Sequence, residues 1–183
     1  MPTAKVFNMA GEQISTIELS DVIFGIEHAY GDGKEVLIYG VELDFLLANP
    51  DIPELTLDAL VERIREAGGI VIQAHPFRDR YYVNMEVGPR TDIVDGIEVY
   101  NACNIPGEDP QALALMELKD FIMTSGGDIH KDTDERIGHA GVVLPYRVKT
   151  SKEFADALKE RKHGLLVKCE VVDSPTALSK ILD

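Results

Sequence analysis

A helix that stops on two glycines and runs straight into an apolar strand constrains this chain more than any other feature. Thr56 is placed to cap the helix, and Leu57, Leu60, Val61 and Ile64 recur at the spacing of one helical face. Gly68-Gly69 closes it. IVIQA, residues 70–74, follows at once. A helix feeding an apolar run of strand length is an αβ unit, and it predicts a parallel sheet. A second strand of the same kind, FIMTSGGD, occupies residues 121–128.

Both strands turn polar where they end. The first, read on as IVIQAHPF, ends in His75; the second, read on as TSGGDIH, ends in Asp128 and His130. In barrels of alternating strands and helices, the C-terminal strand ends carry the chemistry. Pro76 biases His75 towards an extended backbone, which aims its ring. In an extended D-x-H segment, residues two apart project to the same side, so Asp128 and His130 face one point. Gly126 and Gly127 before them permit close backbone approach. Imidazole and carboxylate groups delivered by different strands are a ready metal site.

The remaining segments fit an alternating pattern. Residues 4–8 and 14–18 read as strands around a turn at Gly11, a small hairpin. VLIYG (36–40), IVDGIEVYN (93–101), VVLPY (142–146) and LLVKCEVV (165–172) read as strands. ALALMELKD (112–120) reads as a helix. Thr150 or Ser151 caps a helix that Gly164 stops, and Ser174 with Pro175 opens the last one.

Totals exclude some functions. The 183 residues support one domain, or one plus a small appendage. A net charge of −14 repels phosphate backbones, which makes nonspecific nucleic-acid binding an unsuitable role. It leaves room for small phosphorylated molecules, because a bound cation reverses the local field. There is no apolar run of about 18 residues, so no membrane span is expected. The N-terminus lacks the apolar core of a signal peptide. Cys103 and Cys169 form no CxxC pair and read as reduced core thiols of a cytoplasmic protein.

AHPFR, DGIEVYN and TSGGDIH, in that order and spacing, resemble the PHP family, the polymerase and histidinol phosphatase superfamily. The likeness runs from about residue 25 to residue 167. It implies a distorted (β/α) barrel that binds divalent metals, commonly zinc, manganese or iron, and hydrolyses phosphate esters. His75 then matches the histidine of the family's H-P motif. Asp128 and His130 match the metal-binding pair of its G-S-D-x-H motif, with Gly127 in place of the serine. The family's bridging glutamate, in a G-x-E strand end, matches Glu27 in FGIE, with Glu42 in YGVE as the second candidate. Glu35 stands near a place where many members carry a histidine, but after Lys34 it reads as a solvated charge. Arg78 and Asp128 are the candidate catalytic residues. Arg78 is a candidate for phosphate contact, with a surface ion pair as its alternative. Asn101 is a candidate for a substrate hydrogen bond, with turn formation as its alternative.

The sequence departs from the family at its front. His28 is the only histidine before His75, so the H-x-H motif that opens a complete member is missing. Residues 1–27 instead resemble the N-terminus of bacterial large-subunit ribosomal protein number four, without that family's basic loop. The resulting expectation has two segments: a ribosomal-protein-like stretch over 1–24 and a truncated PHP-like phosphoesterase domain over 25–183. Its fold is α/β, a partial barrel with an N-terminal hairpin. An exposed sheet edge would invite self-association into a homo-oligomer. The expected function is hydrolysis of a small phosphorylated substrate by a metal-activated water. The alternative is an inactive remnant that binds metal weakly or only self-associates.

Overall fold

The computed structural model describes residues 25–182 and, before them, the backbone of two strands, β1 (Thr3–Phe7) and β2 (Gln13–Glu18). These pair antiparallel with Thr3 opposite Glu18, the hairpin expected from the sequence. The rest of the ribosomal-protein-like stretch lies outside the described residues.

Five strands form the main sheet in sequential order: β3 (Ile26–Gly31), β4 (Lys34–Tyr39), β5 (Ile70–Gln73), β6 (Gly96–Asn101) and β7 (Ile122–Gly126). β5, β6 and β7 are parallel, as the αβ unit predicts. β3 and β4 run antiparallel to their neighbours, so the sheet is mixed. The connections explain the difference. β3 and β4 are joined by a tight turn in which Asp32 and Gly33 take φ of 55° and 70°. Two consecutive left-handed residues make a hairpin turn, and a hairpin can only join antiparallel strands. β6 reaches β7 through α3 (Glu108–Ala114), which allows the parallel return.

Between β4 and β5 lie α1 (Leu43–Ala48) and α2 (Leu57–Glu66). The Thr56 hydroxyl accepts the Ala59 N–H at 3.4 Å at the start of α2, and Gly68 ends it with φ of 85°. Leu57, Leu60, Val61 and Ile64 are all buried on its sheet-facing side. Each contributes about 1.5–3 kcal/mol of hydrophobic stabilisation.

A second, antiparallel sheet holds β8 (Ala140–Val143), β9 (Gly164–Val167) and β10 (Glu170–Val172), with β9 central. LLVKCEVV is thus two strands rather than one. Lys168 and Cys169 sit at φ of 48° and 68°, a two-residue hairpin turn. Cys169 is exposed in that turn and is not a core thiol. The Ser125 hydroxyl joins the sheets: it donates to Leu166 O at 2.8 Å and accepts the Gly141 N–H at 3.3 Å. The chain is completed by α4 (Ser151–Lys159), capped by Thr150, and α5 (Pro175–Leu182), capped by Ser174.

The faces of the main sheet are unequal. Val36, Ile38, Val71 and Ile97 pack with α2 into the larger core. On the other face, Ile70, Ile72 and Ile122 pack against Ala155 and Leu158 of α4. That helix covers the starts of the parallel strands and leaves their C-terminal ends to polar residues. The architecture is mixed α/β, and among the described residues the strands close no barrel.

Candidate metal centre

The register of the first three strands assembles one acidic group. Glu27 lies opposite Leu37 and Ala29 opposite Glu35, so Glu27 and Glu35 are diagonal neighbours on one face. β5 continues the alignment, with Val36 opposite Gln73. Gln73 is fully buried, and its side-chain amide donates to Glu35 O at 2.8 Å. Ala74 donates to the same carbonyl at 3.2 Å. Glu35 is therefore held at the strand end beside His75. It is not the solvated charge read from the sequence.

His75 is not extended, despite the proline after it. Its φ is 22°, and Arg78 N–H donates back to its carbonyl at 3.0 Å, closing a turn. Lys34 donates to Pro76 O at 3.2 Å, and a Glu98 carboxylate oxygen accepts the His75 N–H at 2.8 Å. Such a backbone costs on the order of 1–3 kcal/mol and persists only where its surroundings impose it. Here they turn the ring inward. Nε2 is buried and makes no hydrogen bond, although Glu35 Oε2 lies 3.1 Å away and Glu27 Oε1 3.5 Å away. The three ligand atoms are within 4.8 Å of one another. Closeness without hydrogen-bond alignment is what ligands sharing a central cation show; around a tetrahedral zinc, neighbouring ligand atoms are about 3.4 Å apart. Burial, and then the Glu27 carboxylate, push the Glu35 carboxyl above its ordinary range, while His75 opposes them.

Asp128 and His130 form the opposite wall. One Asp128 oxygen sits 3.0 Å from His130 Nε2; the other pairs with Arg78. Asp128 also takes a left-handed φ, 50°. Burial works to raise its carboxyl, but the charge and hydrogen bond of Arg78 outweigh this and hold it below the usual range. Arg78 is buried and also donates to Asn101 Oδ1 at 3.0 Å and Asn104 Oδ1 at 3.4 Å. Its guanidinium thus meets protein acceptors on each nitrogen. Asn101 is buried as well, its amide spent on Arg78, Glu98 and the Cys103 N–H. Arg78 sits behind the site wall, whereas Asn101 borders the cavity with its amide already engaged. Glu42, the second glutamate candidate, is elsewhere: its Oε1 accepts the Ser151 and Lys152 N–H groups at the start of α4.

A cavity of about 310 Å³ brings the two walls together, lined among others by Glu27, His75, Glu98, Asn101, Asp128 and His130. Glu98 is the residue that sequence reasoning missed. It is 3% exposed, and burial pushes its carboxyl well up against the opposing pull of His75 and its hydrogen bonds. Gly126 makes room for it, since a Cβ there would overlap Glu98 Oε1. Its signal was a carboxylate inside an otherwise apolar strand, GIEVYN. The signal for Glu35 was the Asp32-Gly33 turn, which fixes the register that carries it to Glu27.

No family model matches the chain. It is 34% identical over 87 residues to an uncharacterized protein of Methanocaldococcus jannaschii. That stretch is 46% of this chain, and the chain spans about half of the relative's length, 48%. Among the described residues, no helix is long and apolar enough to cross a membrane.

Proposed function

We propose that this chain binds a divalent metal between Glu27, Glu35 and His75 and hydrolyses a phosphate ester there, as the PHP resemblance implies. The observation that carries the reading is the buried His75 Nε2, without a hydrogen bond, with carboxylate oxygens of Glu35 and Glu27 at 3.1 and 3.5 Å. One imidazole and two carboxylates suit zinc, manganese or iron(II). A divalent ion held there would lower the pKa of a water and polarise a phosphoryl oxygen. The chain's own residues do the rest. Glu98 anchors the backbone of His75, and Asp128 and His130 face the same cavity from the far wall. Arg78 acts on Asp128, fixing its orientation, rather than as a free clamp for phosphate. The open sheet supplies the C-terminal strand ends that a (β/α) barrel of this type would use.

A second reading, metal binding without turnover, draws on one specific feature. Asp128 is already charge-balanced by Arg78, so the site offers the group of Glu27, Glu35 and His75 rather than a full cluster.

Metal content of protein purified without chelator, measured beside aryl phosphate hydrolysis with added Mn²⁺ or Zn²⁺, separates the readings. Near-stoichiometric metal with turnover, both lost in His75→Ala and Glu35→Gln, is the expected result. Metal without turnover leaves the second reading. Protein that takes up no metal sinks both.

A further inference from the structure

The two walls of the cavity come from distant parts of the chain, yet one buried run of hydrogen bonds links them. The His75 N–H donates to Glu98 Oε2 at 2.8 Å. The Asn101 side-chain N–H donates to the same oxygen at 3.1 Å. Asn101 Oδ1 accepts from Arg78 at 3.0 Å, and Arg78 pairs with Asp128, which meets His130 at 3.0 Å. Asn101 also reaches the loop after β7 by a second route. Its Oδ1 accepts the Cys103 N–H at 2.9 Å, and the Cys103 thiol donates towards Gly127 O at 3.1 Å and Asp128 O at 3.3 Å.

We infer that Asn101 is a positioning residue that sets the His75 wall and the Asp128 wall in register, so that one ligand can be held between them. The inference rests on the metal-site reading above but concerns a residue outside the Glu27, Glu35 and His75 group, with its amide already committed to protein partners. Two features make the amide necessary. Its nitrogen faces a carboxylate, and its oxygen faces a guanidinium and a backbone N–H. No other small side chain offers a donor and an acceptor on those two sides. It is also pinned, since the Asn101 N–H donates to Asp109 Oδ1 at 3.1 Å inside the protein. Asp at this position keeps the shape and the bond to Arg78 but sets two carboxylates against each other at Glu98. Ala releases both walls.

Groups that orient metal ligands typically change affinity by about 10–100-fold when removed. The test measures Mn²⁺ affinity by calorimetry, and hydrogen exchange in metal-free protein at the His75 amide and at the Ala102 amide, which donates to Gly126 O at 2.9 Å beside the Asp128 loop. Wild type, Asn101→Ala and Asn101→Asp are compared, with Gln111→Ala, an exposed residue on α3 whose amide bonds only Gly107 O, as a neighbouring control. Asn101→Ala should weaken Mn²⁺ by about 10–100-fold and speed exchange on both walls. Asn101→Asp should speed exchange at His75 and leave the Ala102 amide protected. Gln111→Ala should do neither. Unchanged exchange on both walls in folded Asn101→Ala overturns the inference, whatever the metal does. Wild-type protein that ignores Mn²⁺ but shows the expected exchange pattern overturns the metal reading and leaves the coupling standing.

Discussion

The two walls of the cavity hold the same kinds of side chain and treat charge in opposite ways. On the first wall, Glu27 and Glu35 lie beside His75, and among the described residues that imidazole is the one basic side chain within 4.0 Å of either carboxylate. On the second, Asp128 already has a guanidinium, and its carboxyl is held low while that of Glu35 is pushed up. Two acids crowded together in a half-buried place are unfavourable unless a cation joins them. An acid paired with a buried arginine needs none. The first wall is thus the one built to gain from a metal. The second is structurally complete, and its arginine sets where Asp128 stands.

Removing that arginine should give the largest effect on the folded protein. Arg78→Met leaves Asp128 in a site where its side chain is 12% exposed and has lost its cation. Breaking a buried pair from one side costs about 3–5 kcal/mol. Urea unfolding of metal-free protein should show a loss of that size. Added Mn²⁺ should then recover more stability in Arg78→Met than in wild type, because Asp128 becomes free to meet the ion. Equal recovery in both proteins would break the comparison, since it would mean that Asp128 never feels the metal.

The contrast also explains which parts of this arrangement were legible in the sequence. His75, Asp128 and His130 could be found because each ends an apolar run, and a polar residue at a strand end is visible in one dimension. Thr56, Gly68 and the face of α2 are local too: a cap, a stop and a period. Glu35 was misread because its role depends on what lies across from it, and cross-strand register is a long-range property. Glu98 and Asn101 were visible as residues but not in their roles, because their partners His75 and Arg78 come from another turn of the chain. The parallel sheet was half right for a related reason. The αβ unit speaks for β5 to β7, while the hairpin turn at Asp32-Gly33, which makes β3 and β4 antiparallel, went unread.

A smaller, pH-dependent effect belongs to Glu98, which stands between the walls. Burial raises its carboxyl pKa above the unfolded value. A raised carboxyl contributes its full stability at low pH, where it is neutral in both states, and loses it as pH climbs through the raised folded value. Glu98→Gln keeps an oxygen for the His75 and Asn101 N–H groups and never carries the charge. In metal-free protein, the variant should therefore melt higher than wild type at about pH 8, and the gap should close towards about pH 4, below the ordinary glutamate range. Thermal melts across that range measure it. A gap that is constant with pH would mean that Glu98 carries no buried charge, and the His75 wall would then be less strained than the comparison supposes.

The smallest effect should come from Glu42, and it bears on the first wall's membership. Glu27 and Glu42 follow similar G-x-E strings, but only Glu27 reaches His75. Glu42 sits at the head of α4, where its carboxylate accepts the Ser151 N–H at 3.1 Å and the Lys152 N–H at 3.4 Å. Thr150 caps the same helix through Glu153 N–H at 3.0 Å, so the two share the task. A side chain that satisfies free N–H groups at a helix start is worth about 1 kcal/mol, and less where another cap remains. Glu42→Ala should lower stability by no more than that and leave Mn²⁺ affinity unchanged, while Glu27→Gln should do the reverse. If Glu42→Ala weakens the metal instead, α4 is part of the site, and the division of that sheet face into an apolar half under the helix and a polar half beyond it would have to be redrawn.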